Sequence, residues 1–161
     1  MCLRKSDKDF KYIEIGDVTQ YGLITKYIKG RFEDLPTRGE YQVHTGDILL
    51  ALNNSSRGTV VLVPPEFDNA ICTSGFLVII PDNEEQGLLL WYSLRSELCR
   101  KQIYYLAQTA SQPELKLDAW NSYFEIPIPI KEDYNLSIKK AKEFYTHLSK
   151  LTDIDSYRFS L

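Results

Sequence analysis

Few residues of this chain carry the chemistry of a cross-link, a metal site or a nucleophile. There are three cysteines in 161 residues, Cys2, Cys72 and Cys99, with no Cys-x-x-Cys pair, and two of them stand in apolar surroundings. An odd, dispersed set argues against a disulfide scaffold or a zinc site and for a reducing compartment, because a buried thiol behaves as a small hydrophobe. The two histidines, His44 and His147, lie far apart, and neither has a Cys or His neighbour at ligand spacing, so no metal site is read. No run of about 18 apolar residues is present, and residues 1–9 lack the apolar stretch of a secretory signal. The expectation is a soluble, cytoplasmic protein with no membrane partner. No Gly-rich turn follows a strand pattern, which leaves no cofactor loop, and no Ser/His/Asp or Cys/His set stands out, which leaves no catalytic residue to name. Internal repeats and low-complexity tracts are missing as well.

What is present suits one packed core with an appendage. The chain is 43% hydrophobic, and Tyr is the dominant aromatic, with 11 against 7 Phe and 2 Trp. Tyr fits half-buried sheets and polar surfaces that meet a partner, because its ring is apolar and its tip forms hydrogen bonds. The net charge of −3 disfavours a general coating of nucleic-acid contacts. Affinity for a polyanion nevertheless depends on where Lys and Arg cluster.

Along the chain, residues 12–18 alternate and are continued by 21–24, which predicts an opening strand or hairpin. Residues 26–32 interleave Lys26, Lys29 and Arg31 with aromatics. This pattern is compatible with a nucleic-acid-facing strand and with an edge strand guarded by Lys against aggregation. Residues 33–40 read as a loop and Gly46-Asp47 as a turn, followed by apolar runs at 48–52, 59–63 and 71–80. A helix is predicted over 87–108 from Leu90, Leu94 and Leu98, with Arg95, Arg100 and Lys101 as ordinary helix charges. Residues 108–119 read as polar loop, and 122–130 as an edge strand carrying Pro127 and Pro129. The last helix, 135–151, has an apolar stripe of Leu136, Ile138, Ala141, Tyr145, Leu148 and Leu151, which can pack on its own domain or on a partner helix. The fold class expected is α+β: a mixed, mostly antiparallel β-sheet or partly open barrel with a packed helix and a C-terminal helix. Residues 1–130 form the domain, and 131–161 a helix and tail.

Two motifs invite an enzymatic reading. Residues 63–67, Val-Pro-Pro-Glu-Phe, have the prolines and aromatic of an amino-methyltransferase motif, but Val63 stands where the hydrogen-bond acceptor must be. Asp82, Glu114 and Lys116 match the sparse pattern of a Mg²⁺-dependent nuclease, which requires them to converge on adjacent strands.

The most informative stretch is 41–81, where strand-like runs bracket a small polar loop. A rigid sheet holding out amides, hydroxyls and a guanidinium has the inventory to read base edges. The base-reading candidates are Asn53, Asn54, Ser55, Ser56, Arg57, Thr73, Ser74, Gln108, Ser111 and Gln112: Asn and Gln pair with adenine, Arg with guanine, and Ser or Thr with either. Lys26, Lys29, Arg31 and Lys116 are candidates for phosphate contacts. The bland alternatives are a solvated turn at 53–56 and buried hydroxyls ending a strand at Thr73 and Ser74.

Taken together, Gly46-Asp47-Ile48-Leu49-Leu50, residues 58–63 and residues 70–81 resemble the target recognition domain of type I restriction-modification specificity subunits. Residues 12–24, 90–100, 110–113 and 126–129 extend the resemblance over most of 12–130. The resemblance implies a noncatalytic domain that reads half of a bipartite site on double-stranded DNA, with methyltransferase and restriction subunits as partners. It also implies a following helix that pairs with a second helix, from a second recognition domain or a homodimer. After Pro129 the sequence departs from the family, with Lys131-Glu132-Asp133-Tyr134-Asn135 in place of the usual Pro-x-x-Glu-Gln. A half-subunit, a detached domain and a fragment are all compatible with this. The competing hypotheses are a protein-interaction module that docks on a methyltransferase or other partner through the terminal helix, and the Mg²⁺-dependent nuclease.

Overall fold

Residues 48–51 are apolar at every position, and a strand points alternate side chains to opposite faces, so such a strand needs cover on both sides. In the computed structural model, which describes residues 8–36, 39–52, 59–107 and 115–158 (151–158 by backbone alone), that demand organises three layers. The strands are β1 (Asp9–Ile13), β2 (Ile28–Arg31), β3 (Gly39–Val43), β4 (Ile48–Ala51), β5 (Val60–Leu62), β6 (Ala70–Thr73) and β7 (Phe76–Ile79). The helices are α1 (Glu84–Leu94), α2 (Glu97–Leu106), α3 (Leu117–Tyr123) and α4 (Tyr134–Arg158).

One sheet has the order β2-β1-β6-β3 and the other β5-β4-β7. The first is mixed: β1 runs parallel to β6, with Tyr12 opposite Ile71, while β2 and β3 are antiparallel to their neighbours. The second is antiparallel, with Leu49 between Val61 and Val78. Leu49 and Ala51 meet Ile13, Val43, Ala70 and Cys72 between the sheets. Ile48 and Leu50 point the other way, onto Trp91, Leu94, Cys99, Ile103 and Leu148 of the helical layer. The α+β class with a mixed sheet, packed helices and a C-terminal helix is what forms; the two sheets face one another and do not close into a barrel.

Several boundaries differ from the sequence reading, each for a local reason. The apolar run 71–80 is two strands: Ser74 and Gly75 turn the chain from β6 in one sheet to β7 in the other. The opening strand ends at Ile13, because Glu14 and Asp17 close a capping box around a 3₁₀ turn at Ile15–Asp17. The helix expected over 87–108 is two helices. Ser96 is extended and its hydroxyl accepts from the Cys99 N–H, starting α2 afresh and leaving Leu98 56% exposed.

Residues 124–130 form no strand. The Gln102 side-chain amide takes both backbone groups of Glu125, donating to its carbonyl and accepting from its N–H at 2.8 Å each. Pro127 and Pro129 have no N–H to offer a ladder. The polar stretch before it holds α3, whose Trp120 stacks on Phe124 with ring centroids 4.4 Å apart.

The stripe on α4 packs on its own chain. Ile138, Ala141 and Leu148 are buried, and Phe144 and Tyr145 meet Trp91 at 5.7 and 5.6 Å. Leu136, which the stripe included, is 51% exposed. No helix among the described residues is long and apolar enough to cross a membrane.

Candidate nucleic-acid interface

Most of the sequence-selected base readers, Asn53, Asn54, Ser55, Ser56, Arg57, Gln108, Ser111 and Gln112, lie outside the described residues. The residues that flank them are described, and they come together. Ala51 donates its N–H to the Thr59 carbonyl at 3.0 Å, which closes the neck of 53–58. Leu52 donates to Gly75 O at 2.8 Å and accepts from Leu115 N–H at 3.0 Å. The last residue before 53–58, the β6–β7 turn and the first residue after 108–114 are thus hydrogen-bonded in series. Gly39, which follows the undescribed pair 37–38, stands opposite Thr73 in the β3–β6 ladder. One end of the two-sheet stack therefore brings together Leu52, Thr59, the β6–β7 turn and Leu115, described residues that flank the base-reading candidates in sequence.

At this end Thr73 is buried, and its hydroxyl accepts from the Gly75 N–H at 3.4 Å, so it serves the turn. Ser74 is partly exposed and shares a cavity of about 440 Å³ with Glu40, Gln42, Leu52 and Leu117. Tyr12 is buried opposite Ile71, two residues behind Thr73, and burial raises its hydroxyl above the usual phenol value.

The cations divide by position. Lys116 immediately follows Leu115, is exposed, and starts α3 at the gathered end. Lys26, Lys29 and Arg31 belong to the outer edge of the four-stranded sheet. β2 runs away from the gathered end, since Ile28 pairs with Tyr12 and Arg31 with Asp9, which leaves Lys26 nearest and Arg31 farthest. All three are exposed, and none makes an ion pair among the described residues. Lys29 stands opposite Lys11, and like charges so placed repel. Lys11 turns instead to the Glu66 carbonyl at 2.6 Å and over the rings of Tyr27 and Phe67.

The opposite end of β4 is a closed turn. Gly46 adopts φ +89, and the buried Asp47 carboxylate accepts from the His44 N–H at 2.8 Å. Cys72 lies in the core behind it, its thiol pushed up to about 12, chiefly by burial and secondly by the charge of Asp47. A cavity of about 720 Å³ opens there, lined by Asp47, Glu84, Lys142 and Tyr145 and by none of the selected residues. Asp82 of the nuclease pattern is exposed just before α1, bonded to Gln86, and Glu114 lies outside the described residues.

Arg95, read from the sequence as an ordinary helix charge, has a more specific place in the structure. It ends α1, lies over the rings of Trp91 and Phe144 at 5.2 Å each, and donates through Nη1 to Tyr21 O at 2.6 Å and Val60 O at 3.3 Å. Its one legible signal was Ser96, a helix-starting residue immediately after it.

The described architecture is thus an α+β domain with two facing sheets, a helical layer on one of them, and one end at which Leu52, Gly75 and Leu115 are hydrogen-bonded in series. No family model and no curated protein matches the chain. Among solved structures it is similar to the HsdS subunit from Thermoanaerobacter tengcongensis, with TM-score 0.70 and 21% identity over 97% of this chain and 40% of that one. It is similar also to a chain from a study of complex assembly and conformational transition of the type I R-M system, with TM-score 0.70 and 22% identity over 94% of this chain and 39% of that one. At these identities what is shared is the fold, and this chain spans about two fifths of each neighbour's length. Residues 1–130 are about four fifths of 161, so a likeness over 94% takes in part of α4 as well.

Proposed function

We propose that this domain reads a short sequence on double-stranded DNA as the specificity component of a type I restriction-modification system. In this reading it is noncatalytic itself, and methyltransferase and restriction subunits supply the chemistry. The observation that carries the proposal is the meeting of Leu52, Gly75 of the β6–β7 turn and Leu115 at one end, the residues from which 53–58 and 108–114 depart and return in sequence. Loops on a rigid sheet are where recognition residues concentrate. Here the sheet is packed on both faces and the loops carry Asn, Gln, Ser and Arg, the residue types that read base edges. The fold shared with an HsdS subunit supports the same assignment. Lys116 then contacts a phosphate next to the base readers, Lys26 contacts one further out, and Lys29 and Arg31 act through longer-range field. The two parts, 1–130 and 131–161, are a reading domain and a helix joining it to a second recognition domain or a second copy.

Selection from a randomised duplex library tests this. One short motif is expected to be enriched, with binding that weakens steeply as salt rises. Enrichment of nothing at low salt would remove the proposal.

The docking hypothesis drew on the apolar stripe of α4, of which Ile138, Ala141 and Leu148 are buried in this chain. What remains to motivate it is the exposed group Ile128, Ile130 and Leu136.

A further inference from the structure

Arg95 and Arg100 are drawn to one spot without a carboxylate between them. Rings and backbone carbonyls hold Arg95, as described, and its buried Nε has no acceptor. Arg100, in the second turn of α2, comes close enough that its charge, after burial, lowers the Arg95 pKa from the usual guanidinium value. Neither guanidinium forms an ion pair among the described residues. The acid nearest in sequence, Glu97, is taken by Lys101 at 2.8 Å.

Arg95 alone is explained by packing, and Arg100 alone by exposure on a helix. Neither account explains why both line one hollow, together with Gln20 and Tyr21, of about 160 Å³. Two like charges around a shared space, one of them partly buried, cost free energy that a bound anion returns. The charge selects an anion and the size admits a small one: the hollow exceeds the ~30 Å³ share of one water and is smaller than the adjoining hollow of about 580 Å³ that both arginines also line with Pro127, Pro129 and Phe144. A single tetrahedral oxyanion fits those bounds, and guanidinium forks match phosphate oxygens in geometry as well as charge.

The hollow also has a telling place. Gly22 is pressed against Val60, whose carbonyl oxygen would clash with a Cβ there, and Arg95 bonds that same carbonyl. Val60 follows Thr59, where 53–58 rejoins the sheet. We infer that Arg95, Arg100 and Gln20 form a notch for one phosphate group beside the reading end. The inference rests on the proposed function only in taking that phosphate from the DNA backbone; free phosphate would satisfy the same donors.

Arg100→Gln tests the notch without touching the core, since Arg100 is exposed. Melting in inorganic phosphate is compared with melting in chloride of equal ionic strength. Phosphate is expected to raise the Tm of the wild type above its chloride value, with that difference lost in Arg100→Gln and partly kept in Arg100→Lys. Equal responses in wild type and Arg100→Gln, or no phosphate-specific response, would overturn the notch. With the enriched duplex, Arg100→Gln should lower the slope of log affinity against log salt by about 1 and leave the enriched sequence unchanged, which identifies a DNA phosphate. A lost phosphate response with an unchanged slope assigns the notch to free phosphate. If the wild type enriches no duplex, DNA recognition fails, while the notch still stands or falls on the melting comparison.

Discussion

Gly22 and Gly46 share a left-handed backbone, with φ +82 and +89, and differ in what surrounds them. A Cβ on Gly46 meets nothing within 4 Å, whereas on Gly22 it would strike the Val60 carbonyl and the Arg95 guanidinium. Gly46→Ala should therefore cost only the conformational term, roughly 1–2 kcal/mol. Gly22→Ala should cost clearly more, because the contact with Arg95 must open as well. Urea unfolding of the two variants measures the difference, and equal losses would contradict it. Burial raises both the Cys72 and Cys99 thiols, Cys72 to about 12. Since the thiolate is the reacting species, neither should be alkylated in the folded protein at pH 8, and both should be labelled in denaturant, as mass spectrometry of the peptides would show. The thiols were legible from their apolar neighbours in the sequence. Arg95 was not, because its partners at Tyr21 and Val60 are 74 and 35 residues away and backbone carbonyls leave no mark in a sequence.

At the scale of elements, α4 makes the clearest demand. Leu148 is buried against the helical layer and Leu136 is half exposed, although both belong to one stripe in the sequence. Leu148→Ala should destabilise by about 2–5 kcal/mol, and Leu136→Ala by no more than about 0.5 kcal/mol. Thermal or urea unfolding distinguishes them, and equal effects would mean that α4 does not pack on α1 in solution. A periodic stripe reveals a helix and its apolar face, but not how wide a strip the neighbour covers; here Ile138, Ala141 and Leu148 are buried while Phe144 and Tyr145 meet Trp91 of α1. The same limit explains the other boundaries. Apolar continuity hid the crossing at Ser74-Gly75, because both strands it joins are lined by core residues. The capping serine inside a leucine repeat divided α1 from α2, and the Gln102 amide took the ladder groups of Glu125 from a segment whose residues read as strand.

For the whole molecule, the α+β class and the chain order of its apolar runs were readable, whereas the division of the strands into two facing sheets was not, because it turns on the crossing at Ser74-Gly75 within one continuous apolar run. The convergence of Leu52, the β6–β7 turn and Leu115 was not readable either, because it depends on hydrogen bonds between residues 52, 75 and 115 that are remote in sequence. That convergence is the basis of the proposal that this end reads DNA, in which Arg57 is the candidate for guanine. Selection from a randomised duplex library with the wild type and with Arg57→Ala tests it most directly. The wild type should enrich one short motif, and Arg57→Ala should relax it at a single position, at a cost of about 1–3 kcal/mol for the preferred base, with the rest of the motif intact. A wild type that enriches no sequence, or an Arg57→Ala protein with the full motif unchanged, would contradict a reading end built on these loops.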